Sequence, residues 1–217
     1  MAESEARLYL LSPVIADASV FAPLLQQACE AGDIAAVLLR LAPADERTQI
    51  NRVKTLAPIA QDRGAAVLVA AEGEIDLATV ASRGGADGVH IGPDPASARE
   101  LRDRLRDDRI VGVGNLRLKD EAMTMGEAGV EYLLFGEPRA DGSLPPFEAV
   151  VERAAWWAEI FETPCVAFAP SLEHIAAASA TGAEFVGLGD AVWNHAEGPA
   201  AAVRIAVEAL RPREAAG

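Results

Sequence analysis

The side chains best able to do chemistry in this sequence stand at or just after the ends of short apolar runs. Glu72, Glu137, Asp141 and Asp190 supply carboxylates, Arg40, Arg117 and Arg139 supply cations, and Asn115 adds an amide. Because four acids would crowd one rim, some should bind a cation, pair with those arginines, or titrate at a raised pKa, the alternative being that they are solvated loop charges. Glu137 is the candidate catalytic group, a carboxylate able to act as a base. Arg40, Glu72, Asn115, Arg117, Arg139 and Asp190 are the candidate ligand contacts, and Asp94 the candidate metal ligand.

The remaining polar residues at such run ends are Ser12, Ser143, Asn194 and His195. His90, within GVHIG, can serve as a ligand or acid/base, or as a hydrogen-bonded structural residue, the commoner fate of a histidine at a strand end. His174 follows Ser171, the expected cap of a helix, and reads as a surface residue. The run GVGNL (112–116) lacks the third glycine of the dinucleotide fingerprint, so it is not read as one.

These positions acquire a common location from the elements between them. Apolar runs rich in Val, Leu and Ile recur at 7–13, 34–41, 65–71, 87–92, 109–115, 131–137, 164–170 and 184–190. Amphipathic stretches of helical period follow at 20–31, 45–62, 74–83, 96–106, 118–128, 147–162, 172–181 and 199–210. Strands that are apolar on both faces and alternate with helices imply parallel crossovers. Eight such units predict an α/β chain folded as a single (β/α)8 TIM barrel with a closed parallel sheet, an open doubly wound sheet being the alternative. The barrel domain spans 7–211, with a disordered N-terminus over 1–6 and a tail over 212–217. Gly32, Gly64, Gly85, Gly129 and Gly182 are the expected left-handed helix stops. In such a barrel, side chains at the C-terminal strand ends share one rim.

Composition narrows the partners. A formal net charge of −14 opposes binding to the phosphates of nucleic acid. No apolar run approaches a membrane span, and the first residues, MAESEAR, lack the basic start and apolar middle of a secretory signal, so a cytoplasmic location is expected. Cys29 and Cys165, without a CxxC or Cys/His cluster, are expected as reduced, buried small hydrophobes. The adjacent Trp156 and Trp157 face different directions, one inward and one toward solvent or a partner, and a homodimer is one such partner.

LYLLSP near the start, VLLR (37–40), DLA (76–78), ADGVHIG (86–92), IVGVG (110–114), EYLLFG (131–136) and PCVAFAP (164–170) together resemble the thiamine phosphate synthase and thiazole tautomerase family, in order, over nearly the whole barrel. The resemblance implies coupling of a hydroxymethylpyrimidine diphosphate to a thiazole phosphate, with Mg²⁺ assisting loss of pyrophosphate. It also marks departures. The family's Gln-x-Arg-x-Lys falls on Leu38, Arg40 and Ala42, and its Asn-Asp on Glu72 and Gly73. Its metal Asp falls on Pro95, beside Asp94, and its serine after the fifth strand on Gly114. Its Thr-x-Thr-Lys falls on residues 141–144, its Gly-Gly pair on Ala169 and Pro170, and its phosphate-binding serine on Asp190. The tautomerase histidine falls on Glu137. These positions carry fewer cations and amide donors than the coupling reaction needs, so reduced activity is expected. A small heterocyclic or phosphorylated ligand is the expected partner. A barrel for a nonphosphorylated or cationic heterocycle, with Glu137 as proton shuttle, and a noncatalytic interaction protein are the alternatives.

Overall fold

The computed structural model describes residues 6–73, 75–105, 109–139 and 141–211. Eight parallel strands close into a barrel in chain order. They are β1 (Arg7–Ile15), β2 (Ile34–Leu41), β3 (Ala66–Ala71), β4 (Gly88–Ile91), β5 (Ile110–Val113), β6 (Tyr132–Phe135), β7 (Cys165–Phe168) and β8 (Phe185–Leu188). Pairing of β8 with β1, Leu8 against Val186 and Leu10 against Leu188, closes the ring and excludes the open sheet.

The helices are α1 (Ala18–Ala31), α2 (Glu46–Gln61), α3 (Leu77–Gly84), α4 (Pro95–Leu105), α5 (Lys119–Glu127), α6 (Phe147–Ile160), α7 (Ile175–Ser179), α8 (Asp190–Trp193) and α9 (Pro199–Leu210). Side chains of Asp17, Asp45 and Asp76 accept a backbone N–H at the starts of α1, α2 and α3, which fixes where these helices begin. Two details differ from expectation. The expected helix over 172–181 is a 3-10 turn (Leu172–His174) followed by the short α7, and α8 inserts one turn directly after β8.

The strands are buried on both faces, which gives the molecule two cores. Between sheet and helices, residues such as Val37, Leu39, Val67, Leu133 and Val186 pack against Leu25, Val53, Ala98, Trp157 and Ala202. Inside the barrel, Tyr9, Leu11, Leu38, Leu68, Tyr132, Leu134, Val166 and Phe168 form a second cluster. Layered inward side chains of this kind make a filled core rather than a pore.

Acids at the starts of alternate strands tie the N-terminal end of the barrel together. Asp87 accepts from Val67 N at 2.7 Å, Glu131 from Val111 N at 2.7 Å, and Glu184 from Cys165 N at 2.9 Å. Each carboxylate thus satisfies an amide of the first or second residue of the preceding strand, a structural use far from the site.

Gly64, Gly85, Gly129 and Gly182 adopt the expected left-handed backbone, but Gly32 does not: its φ of −176° is extended. Gly32 is required for a different reason, since a Cβ there would stand 2.8 Å from Val207 Cγ2 on α9. Trp157 is buried, with its indole N–H donating to Thr163 O. Trp156 is half-buried, packed on Phe161 with the Lys119 ammonium over its ring. Cys29 and Cys165 are free and buried, and burial pushes both thiols up, Cys29 to about 11. Among the described residues no helix is long and apolar enough to cross a membrane. Ala6, expected within the disordered N-terminus, is buried. Residues 1–5 and the expected tail over 212–217 lie outside the described residues.

Candidate functional site

A cavity of about 350 Å³ opens at the C-terminal ends of β2 to β6. Arg40, Glu72, His90, Asn115, Glu137 and Arg139 line it together with Val14, Leu38, Leu41 and Leu77. A mostly apolar wall with a few convergent polar groups is the usual build of a small-molecule site.

A bulge in β1 positions Arg40. Leu11 pairs with Leu38 and Val14 with Arg40, so β1 carries one residue more than β2 across this span. Ser12 repairs the ladder: its Oγ accepts from Arg40 N at 2.9 Å, and its carbonyl accepts from Arg40 Nε at 2.6 Å. The guanidinium is held from behind, and its terminal nitrogens have no hydrogen-bond partner among the described residues. Desolvation pulls its pKa down, opposed by the charges of Asp190 and Glu137.

The floor of the cavity is a buried polar chain. His90 Nε2 lies 3.0 Å from Glu137 Oε2, and His90 Nδ1 lies 2.7 Å from the Tyr132 hydroxyl. The Tyr132 and Tyr9 hydroxyls are 2.7 Å apart. His90 and Glu137 are 5% and 7% exposed, so these contacts are shielded from bulk solvent. Burial holds both phenols well above the usual tyrosine range, so both keep their protons. Among the described residues, Glu137 Oε1 is the one buried side-chain oxygen or nitrogen without a hydrogen bond.

Glycines of β5 and the residue after it make room for this chain. A Cβ on Gly112 would stand 1.9 Å from the Tyr132 ring, and one on Gly114 would stand 2.1 Å from Glu137 Oε1. The GVG run therefore presents a bare inward face. Tyr9 and Tyr132 were not apparent as site residues from the sequence. The one signal was a phenol among otherwise aliphatic inward positions of LYLLSP and EYLLFG.

The other sequence candidates fall into two groups. Glu72, Asn115 and Arg139 reach the cavity, and Asn115 is the described non-glycine residue with a left-handed backbone, φ 55°. Arg117 is exposed on the loop before α5, where its N–H donates to Glu121, and it does not line the cavity. Asp190 is exposed at the first turn of α8, at the same end of the barrel but outside the lining. Asp94 uses both carboxylate oxygens at the start of α4, accepting from Ala96 N at 3.0 Å and Ser97 Oγ at 2.6 Å. Those bonds lower its pKa.

Asp141 is not a rim acid with a raised pKa. Ser143 donates to it in a tight turn, and this lowers its pKa. The expected pairing of rim acids with Arg40, Arg117 or Arg139 also does not form among the described residues, where Glu137 pairs with His90 instead. His174 hydrogen-bonds Ser171 at 2.8 Å, and His195 Nδ1 accepts from Glu197 N, so both serve their own turns. Among the described residues no three His, Cys, Asp or Glu side chains are grouped to hold a metal ion.

Residues 8–192 match the family described as thiamine monophosphate synthase. A thiamine-phosphate synthase of Rhodospirillum centenum is 38% identical over 202 residues, covering 92% of this chain and 95% of that one. One from Hyphomonas neptunium is 34% identical, covering 91% and 90%. Among solved structures, a thiamine phosphate pyrophosphorylase from Pyrococcus furiosus superposes with a TM-score of 0.74 at 20% identity, covering 97% of this chain and 98% of that one. The 3-hexulose-6-phosphate synthase of Salmonella typhimurium gives the same TM-score at 17% identity, with 94% and 98% covered, which marks the fold alone.

Proposed function

Because the chain belongs to the thiamine monophosphate synthase family, we propose that it binds a heterocycle of the kind that family handles and acts on it with a rearranged set of polar groups. An acid–histidine pair and the half-buried Arg40 fork take over where the family uses several phosphate and magnesium ligands. The observation that carries this reading is the cavity floor, where Glu137 and His90 are buried together beside Arg40. A carboxylate there favours a ligand edge that donates hydrogen bonds, and Arg40 with Arg139 favours an anionic group on the same ligand.

The family reaction employs Mg²⁺, and the residues present do not fit a prebuilt site for it. Asp94 is committed to α4, and no acidic cluster converges on the cavity among the described residues. Leu144 and Ala42 stand where the resemblance places lysines, and Pro170 lacks the amide that a phosphate would use. Slow or absent coupling follows.

Calorimetry with thiazole phosphate, with hydroxymethylpyrimidine diphosphate plus Mg²⁺, and with dephosphorylated thiamine tests this reading, alongside an assay for thiamine phosphate formation. Binding of one or more of these heterocycles, tighter where the compound carries an anionic group for Arg40, with little turnover supports it. Turnover comparable to that of the Rhodospirillum centenum relative overturns it. That outcome is the second reading, the coupling synthase itself, favoured by 38% identity across nearly the full length of both chains.

A further inference from the structure

We propose that the buried chain Tyr9, Tyr132, His90, Glu137 runs in one direction only, so that Glu137 Oε1 is an acceptor reserved for a hydrogen-bond donor on the ligand. Counting donors gives the direction. Four groups are joined by three contacts, and the Tyr9 hydroxyl has Tyr132 as its partner among the described residues.

If Tyr9 donates to Tyr132, Tyr132 to His90 Nδ1, and His90 Nε2–H to Glu137 Oε2, every proton in the chain has an acceptor. This requires a neutral imidazole carrying its proton on Nε2, and an ionised Glu137. The reverse order, or a doubly protonated His90, makes Tyr132 donate to Tyr9. The Tyr9 proton is then left buried without an acceptor, which is the costlier arrangement. The phenols cannot ionise to escape this, because burial keeps both protonated.

The chain therefore ends on a carboxylate with one oxygen spent on His90 and one free. Oε1 faces the space left by the missing side chain of Gly114 and is covered as it stands. Glu137 lines the cavity, and the broad Cγ–Cδ torsion of glutamate lets a ligand donor meet Oε1 through a small turn that keeps Oε2 within reach of His90. The matching ligand edge is an N–H or amidine-like group, charged or neutral. A phosphate or carboxylate is repelled from this corner and directed to Arg40.

This inference deepens the heterocycle-binding reading and rests on it for the ligand. The test of direction needs no ligand. Nitrogen NMR of the full chain with ¹⁵N-labelled histidine rings resolves three residues, with His90→Gln identifying the His90 signals. The expected result is a protonated Nε2 and a bare Nδ1; a proton on Nδ1, alone or on both nitrogens, overturns the assignment.

The acceptor role is read with benzamidine and benzoate, planar probes of similar shape and opposite hydrogen-bonding character. Glu137→Gln should weaken benzamidine at least about tenfold and leave benzoate as tight or tighter, since the repelling charge has gone. No benzamidine binding to the unsubstituted protein, or equal binding to the variant, overturns the acceptor role. Neither probe is a family substrate, so failure here is distinct from failure of the proposed function.

Discussion

Gly114 and Glu137 compete for one volume: a Cβ on Gly114 would stand 2.1 Å from Glu137 Oε1 and 2.7 Å from His90 Nε2. A glycine just after β5 is thus the condition for a carboxylate just after β6. The serine that the resemblance places at position 114 would close the same space with its Cβ alone, so the two departures from the family pattern at 114 and 137 are one change.

Gly114→Ala should therefore destabilise the protein by about 1–3 kcal/mol, the usual cost of forcing atoms into a filled interior. In a Glu137→Ala background the same substitution should cost much less, giving a coupling of about 1–3 kcal/mol in a double-mutant cycle measured by urea denaturation. Additive effects would show that the two sites do not share the space.

Tyr132→Phe removes a hydroxyl that touches both Tyr9 and His90 at 2.7 Å and leaves the ring in place. The Tyr9 proton and His90 Nδ1 are then buried without partners. A loss of about 2 kcal/mol is expected from unfolding curves, with the urea dependence unchanged because the exposed area on unfolding stays the same. Tyr9→Phe should cost less, since it strands only an acceptor lone pair on Tyr132.

Most of the barrel was legible in the sequence because strands buried on both faces are apolar at nearly every position, and β2 even begins and ends at the expected residues 34 and 41. The helix α8 was not, because a single turn of DAVW carries no period. Acids also misled. Asp94 and Asp141 looked like rim chemistry, yet each closes its own turn, a use that needs only neighbours in sequence. The central pairing of His90 with Glu137 joins β4 to the end of β6, and only closure of the barrel brings them within 3.0 Å.

Acid stability should report Asp76. Its carboxylate accepts from Arg104, at 2.6 and 2.7 Å, and caps α3 through Thr79, which together hold its pKa at about 2. The folded value lies below the unfolded one near ~3.9, so the unfolded chain binds the proton first. Its contribution is present above pH ~4 and is lost as pH falls toward 2. Solvent exposure keeps that contribution small. Urea midpoints of Asp76→Asn should fall less steeply than those of the unsubstituted protein across this window; parallel acid limbs would assign the loss to other groups.

Arg40 offers the sharpest separation of the two ends of the ligand site. Its Nε is spent on the Ser12 carbonyl, while its terminal nitrogens face a cavity that also contains the Glu137 carboxylate. An anion entering the cavity finds Arg40 and Arg139 as its cations, since Arg117 points elsewhere and the lysine positions are apolar. Arg40→Met keeps the stem packed and removes the charge, so it should weaken thiazole phosphate or inorganic pyrophosphate by about tenfold or more, as loss of a charge-assisted bond of about 1.5–3 kcal/mol requires. Benzamidine should respond oppositely and bind Arg40→Met more tightly, because a cation near its site has gone while Glu137 remains. Arg40→Lys should recover only part of the anion affinity, since a point charge cannot reproduce the fork. Equal weakening of anionic and cationic probes by Arg40→Met, measured by calorimetry, would mean that Arg40 acts only by holding the β1 bulge through Ser12.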